Sequence, residues 1–124
     1  YPEGQNMVEA NLLVKNLREK LEKKAYENAK IYNTISDYKA AIVALDNFIA
    51  DYPGTPFKED AMFLKFDTAY NFAKNSVAAK KADRYASAKT AYNNLIKFKP
   101  NTKYKEEADK ILANIEQELQ QFSK

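Results

Sequence analysis

Apolar residues along this chain recur at intervals of three and four, and turn-forming residues break them into five runs. In the first run, Met7, Ala10, Leu13, Val14, Leu17 and Leu21 form a stripe that Ala25, Ala29 and Tyr32 continue. That spacing predicts one long helix over about residues 5–33. The polar stretch 33–37 interrupts it, and Ser36 or Asp37 is placed to cap the next helix by accepting from its free amides. A second helix follows over 37–51, with Ala41, Ile42, Leu45, Phe48 and Ile49 on one face. Tyr52-Pro53-Gly54 stops it, since proline lacks an amide hydrogen and glycine tolerates a turn. Thr55-Pro56 restarts the helical pattern, with proline at the first helical position and Glu59 and Asp60 near the positive helix end. The third helix, 57–75, carries two apolar stripes: Ala61, Leu64, Thr68 and Phe72, then Phe63, Phe66 and Tyr70. A helix apolar on two sides is expected to be sandwiched between neighbours. A loop or frayed turn is expected over 75–81; with Ala29 and Tyr32 aligned on Ala69 and Phe72, this connection is about seven residues longer than the one at 33–37. Helix four is expected over 82–98, Lys99-Pro100-Asn101 is a turn, and helix five covers 103–122. Ile111, Leu112, Ile115, Leu119 and Phe122 give helix five one apolar face and a polar back, which suits the end of a stack.

The second and third runs are repeated. The segment 38–61 returns at 85–108, shifted by 47 positions without a gap. Tyr38 maps to Tyr85, Ala41 to Ala88, Leu45 to Tyr92, Phe48 to Leu95, Pro53 to Pro100, Thr55 to Thr102 and Ala61 to Ala108. A fixed period of this size marks a solenoid of helical hairpins. A further register stands at the start: Pro2 precedes Ala10 by eight residues, as Pro53 precedes Ala61 and Pro100 precedes Ala108. The chain therefore reads as the opening helix of one unit, two hairpins and a closing helix, all in one domain over residues 1–124. Tyr1-Pro2-Glu3-Gly4 resembles a turn rather than a native start, so the chain is expected to be a piece of a longer protein.

Composition narrows the chemistry. Two glycines and four prolines in 124 residues argue against a β-rich fold. The chain has no cysteine and no histidine, which removes thiolate sites, the commonest general base and the commonest metal ligand. No enzyme activity, metal or cofactor is therefore expected. Ser36-Asp37-Tyr38-Lys39 matches a serine–lysine acylation motif by letter, but a helix cap explains it. Glu106 and Glu107 suit a helix start rather than acid–base work. No apolar run approaches the ~18 residues of a membrane-spanning helix. The net charge of +3 is unevenly spread, with Lys74, Lys80, Lys81, Arg84, Lys89, Lys97, Lys99, Lys103 and Lys105 in the second half. Such asymmetry fits an acidic partner or an anionic surface, set against the plainer reading of a solvated helix face. Charges of alternating sign and the lack of a glycine-bearing recognition motif argue against nucleic acid.

The motif spacing resembles known proteins. Ala29, Tyr32, Ala41, Leu45, Phe48 and Pro53 have the spacing of the tetratricopeptide signature, and Ala88, Tyr92, Leu95 and Pro100 repeat its second half. Phe48 and Leu95 stand where the usual motif prefers alanine. The resemblance implies an all-α, tetratricopeptide-like right-handed solenoid of about five antiparallel helices. Asp51-Tyr52-Pro53-Gly54-Thr55 resembles the Tyr-Pro-x-Ser/Thr turns of bacterial envelope tetratricopeptide proteins, and the wording of 17–32, of 40–48 and of 85–100 resembles the BamD (YfiO) lipoproteins of the outer-membrane β-barrel assembly machine, C-terminal half. That implies a periplasmic, non-catalytic scaffold on the outer membrane, tethered by an N-terminal lipid anchor that this chain lacks. It implies as partners the β-barrel assembly component, other assembly lipoproteins and unfolded outer-membrane protein. The alternative is another envelope adaptor, similar to the Tol-associated YbgF family, or a generic peptide-binding repeat module. Two sets of candidate contact residues follow. Lys23, Tyr26, Lys30 and Asn33 fall on the helix-one face that would be concave in such a stack. Phe63, Phe66 and Tyr70 are able to line an apolar groove, or to pack on helix two or four.

Overall fold

Small side chains set the distances between the helices. In the computed structural model, the described backbone covers residues 3–34 and 37–122, with side chains described over 13–32 and 37–122. Among these residues lie five helices and no strand: α1 (Glu3–Thr34), α2 (Tyr38–Asp51), α3 (Lys58–Lys74), α4 (Ala78–Phe98) and α5 (Lys105–Phe122). Each packs on its neighbour in sequence, and α1 meets α3 as α3 meets α5, the pattern of stacked hairpins. The fold is the solenoid of helical hairpins that the periodicity implied, all-α and tetratricopeptide-like as the resemblance implied. Ala29 is buried, and Ala41, Ala61, Ala88 and Ala108 are wholly enclosed, so methyl groups stand where the repeat places its small residues between packed helices. Larger residues fill the space beside them in two clusters. Leu45 and Phe48 join Ala29 and Ala61 in one; Phe66, Tyr85, Ile111 and Ile115 dominate the other. The central helix, α3, supplies both, as its two apolar stripes require.

The repeat extends to single hydrogen bonds. After α2, the Tyr52 amide donates to the Phe48 carbonyl at 3.0 Å, Thr55 to Tyr52 at 3.0 Å, and Lys58 to Thr55 at 3.2 Å. After α4, Lys99 donates to Leu95 at 2.9 Å, Thr102 to Lys99 at 3.1 Å, and Lys105 to Thr102 at 3.1 Å. In both turns the buried threonine hydroxyl accepts from the amide two residues on, Phe57 at 3.2 Å and Tyr104 at 3.3 Å. Gly54 is not needed for this shape. A Cβ there would meet nothing within 4 Å, and Asn101 holds the same place in the second turn.

Four expectations change. The loop over 75–81 shrinks to 75–77, because α4 already begins at Ala78. At 21 residues α4 is seven longer than the 14-residue α2, so the whole insertion before Tyr85 is helical. Its alanines favour helix, and Ser76 closes α3 by donating to the Phe72 carbonyl at 2.5 Å while accepting from Arg84 at 2.6 Å. The α1 stripe is largely open: Leu13, Val14, Leu17 and Leu21 are 53–69% exposed. A 14-residue helix is ~21 Å long and a 32-residue helix ~48 Å, so α2 covers only the second half of α1. Pro56 lies in the turn ahead of α3, which starts at Lys58, and α5 starts at Lys105 rather than 103. Capping of α2 falls to Asp37, whose carboxylate accepts from the Ala40 amide at 3.3 Å. Tyr1, Pro2 and Ser36 lie outside the described residues.

The alanine crossings predict that Ala61→Leu and Ala88→Leu each destabilise the chain by about 1–3 kcal/mol through overpacking, while Ala86→Leu on the exposed side of α4 is near neutral. Urea unfolding followed by circular dichroism distinguishes them. Thr68 is wholly buried, and its hydroxyl has no partner among the described residues. Its counterpart one repeat on is the apolar Ile115. Thr68→Val is therefore expected to raise stability by about 1 kcal/mol in the same assay.

Candidate binding surfaces

On α1, Tyr26 turns inward enough to pack on the next hairpin. Its ring stacks on Phe57 at 5.8 Å and 13°, and meets Phe48 at 5.9 Å. Lys23 and Lys30 flank it by about one helical turn on either side and are both exposed. The Lys30 ammonium lies 5.4 Å from the Tyr26 ring centroid and 3.8 Å from Glu27. Lys23 borders a hollow of about 310 Å3 together with Glu19, Lys20 and Phe57. The Asn33 side chain lies outside the described residues.

The second set divides. Phe66 is wholly buried against Tyr92, whose ring centroid is 5.6 Å away. Phe63 is half-buried and lies flat on Tyr104, 4.2 Å between centroids and 1° between planes. Tyr70 is half-buried against Tyr85, with the Lys74 ammonium 5.1 Å from its ring. Phe63, Phe66 and Tyr70 thus do not open onto one groove; the first and last keep partial access to solvent.

Between the two sets lies a polar cluster that the pattern of the chain did not reveal. Glu59, on the first turn of α3, accepts from the Thr102 hydroxyl at 2.5 Å, the Lys103 amide at 3.0 Å and the Lys99 ammonium at 3.3 Å. Asp60 beside it accepts from the Tyr104 hydroxyl and pairs with the Lys103 ammonium at 3.0 Å. The start of α3 therefore clasps the turn between α4 and α5. The Thr102 hydroxyl, with the Lys103 amide and Lys99 adding to it, holds the Glu59 carboxyl below its ordinary value. Burial, reinforced by Asp60, raises the Tyr104 phenol. Burial, with the charges of Asp60 and Glu27, pushes Tyr26 up to about 12. Both phenols stay protonated and Glu59 stays ionised at neutral pH. Asp60 thus ties the start of α3 to the second turn, and its charge is also felt by Tyr26 on α1.

Among the described residues the first turn has no such clasp, and its residues explain why. Where the second turn reads Thr102-Lys103-Tyr104, the first reads Thr55-Pro56-Phe57. Proline has no amide hydrogen to give and phenylalanine no hydroxyl. The signal available in the sequence was this pair of substitutions inside an otherwise repeated turn, each adding a donor opposite a carboxylate. Chemically, the site is built to hold surfaces together. Among the described residues no group of three His, Cys, Asp or Glu side chains is placed to hold a metal ion.

A family model described as an outer membrane lipoprotein family, YfiO, matches residues 16–122, a span that takes in α2 to α5 and most of α1. Among curated proteins none matches.

The clasp predicts an acid-sensitive element of stability. A carboxyl lowered in the folded state stabilises above its unfolded pKa and loses that contribution as pH falls through the folded one. Glu59→Gln should destabilise at neutral pH by about 1–3 kcal/mol and flatten the acid limb of the stability curve below pH ~4.5. Tyr26 acts at the other end, its contribution present below pH ~10 and lost as pH climbs toward its raised value. Urea midpoints across pH measure both.

Proposed function

The chain belongs to the YfiO family of outer-membrane lipoproteins, and on that premise we propose that it is a non-catalytic scaffold for protein partners in outer-membrane β-barrel assembly. Family membership assigns it a role in outer-membrane protein assembly and an association with that membrane. The finer reading is that these are the C-terminal repeats of a longer lipoprotein, that they hold the periplasmic domains of the barrel-forming component, and that a lipid group at the N-terminus of the whole protein supplies the anchor. Among the described residues, no helix is long and apolar enough to cross a membrane. The observation that carries the scaffold reading is the match over residues 16–122. The solenoid supports it, since stacked hairpins present an extended surface to partners.

Within this reading, the α1 face is the proposed contact. Lys23 and Lys30 offer cations on either side of Tyr26, whose ring is already fixed by Phe57 and Phe48 and loses little freedom on binding. Phe63 and Tyr70, half-buried along α3, extend the apolar part of the contact, and Phe66 fixes the backbone beneath them.

Binding of this chain to the isolated periplasmic domains of the barrel component, measured by titration calorimetry, tests the reading. Lys23→Ala combined with Lys30→Ala is expected to weaken binding about tenfold without changing helicity. Binding confined to the N-terminal half of a longer family member, with none to this chain, refutes it.

A further inference from the structure

α2 and α4 make no close backbone approach; α3 packs on both and lies between them. The furrow left between them holds two hollows in line. One, of about 660 Å3, lies where α2 and α4 end and α3 begins, floored by Ile49, Met62 and Ala91 and closed by the half-exposed ring of Phe98. The other, of about 230 Å3, lies near the start of α2 and is floored by Ile42, Ala69 and Phe72. The residues lining both fall on a single stripe of each helix. On α3, for example, Lys58, Met62, Lys65, Ala69 and Phe72 follow one another at three or four positions. The two hollows are one groove, running ~17 Å along α2 from Lys39 to Ala50.

Its rim is cationic. Lys39 and Arg84 stand at one end, Lys58 and Lys97 at the other, and Lys65 between them. Asp46 is the one carboxylate lining it among the described residues, and Lys65 already holds it at 2.6 Å. Lys58 and Arg84 lie over aromatic rings, 4.6 Å from the centroid of Phe98 and 4.0 Å from that of Phe72. Among the described residues, no carboxylate pairs with Lys39 or Lys97. The other acids at the start of α3, Glu59 and Asp60, are spent on the turn between α4 and α5 and do not line the groove. Apolar floor and cationic ends together define the complementary ligand.

We infer that this groove binds an acidic amphipathic segment of another protein, its apolar side chains along the floor and its carboxylates at Lys39 and Arg84 on one side and Lys58 and Lys97 on the other. Helix-in-groove recognition of this kind takes anchors at three- and four-residue spacing, which matches the spacing of the floor. A flat anionic membrane is a poorer complement, because the apolar floor is recessed between two helices. The inference concerns a different face from the α1 contact proposed above and stands or falls separately from it.

Two synthetic peptides test it on the whole chain: one with Leu and Phe at helical spacing flanked by Glu, and the same peptide with Lys in place of Glu. By fluorescence anisotropy the acidic peptide is expected to bind and the basic one not. Lys39→Glu combined with Lys97→Glu should weaken the acidic peptide at least about tenfold with helicity unchanged, and added salt should weaken it further. Amide shifts on peptide addition should map to α2, α3 and α4. Equal binding of the two peptides, indifference to the double substitution, or shifts confined to Leu13–Leu21 would overturn the inference. So would failure of the acidic peptide to bind while phosphatidylglycerol vesicles bind and lose binding on the same substitution, which would assign the rim to lipid.

Discussion

The whole arrangement depends on how closely neighbouring helices approach at a few alanines. Ala29, Ala41 and Ala61 sit at the crossings of the first hairpin and its successor, and Ala88 and Ala108 at those of the second. A methyl group brings two backbones together and leaves gaps on either side, which only large residues at fixed offsets can fill. Leu45, Phe48, Tyr85 and Ile115 do so, and the two core clusters form around them. Because the same constraint recurs 47 residues on, the turn that follows it recurs with its hydrogen bonds in the same places. The stack is a consequence of one local packing rule applied twice.

Where the two copies differ, the difference has a use. Pro56 and Phe57 give way to Lys103 and Tyr104, and a junction packed through an aromatic ring becomes one that also carries charge-assisted hydrogen bonds to Glu59 and Asp60. Such bonds to an ionised acceptor are among the stronger ones available to a surface. The seven-residue insertion shows the same economy. It lengthens α4 by two turns, and Arg84, one residue before the repeat resumes, folds over Phe72 to seal the corner.

Much of the fold could be read from the chain, and much less of the site. Repetition at fixed offset, proline after each second helix and alanine at each crossing are written in residue types with few other uses. The insertion misleads because Asn75 and Ser76 look like breakers, whereas the alanines beyond them simply extend α4. The stripe on α1 announces that something apolar belongs there, but periodicity does not say whether α2 is long enough to cover it. Phe63, Phe66 and Tyr70 share one alphabet, and only the packing separates the enclosed ring from its half-exposed neighbours. Glu59 and Asp60 have a sufficient local explanation at a helix start. Their partners lie 40 or more residues away, where no local pattern reaches.

The contrast between the two turns also has a mechanical meaning. At the first junction Tyr26 meets Phe57 face to face, and Ala29 packs with Leu45, Phe48 and Ala61 beside it. A junction pinned by several directed bonds resists both sliding and rotation. Between α3 and the second turn, ring packing and directed bonds act together, so that junction carries a constraint on rotation that ring packing alone does not supply.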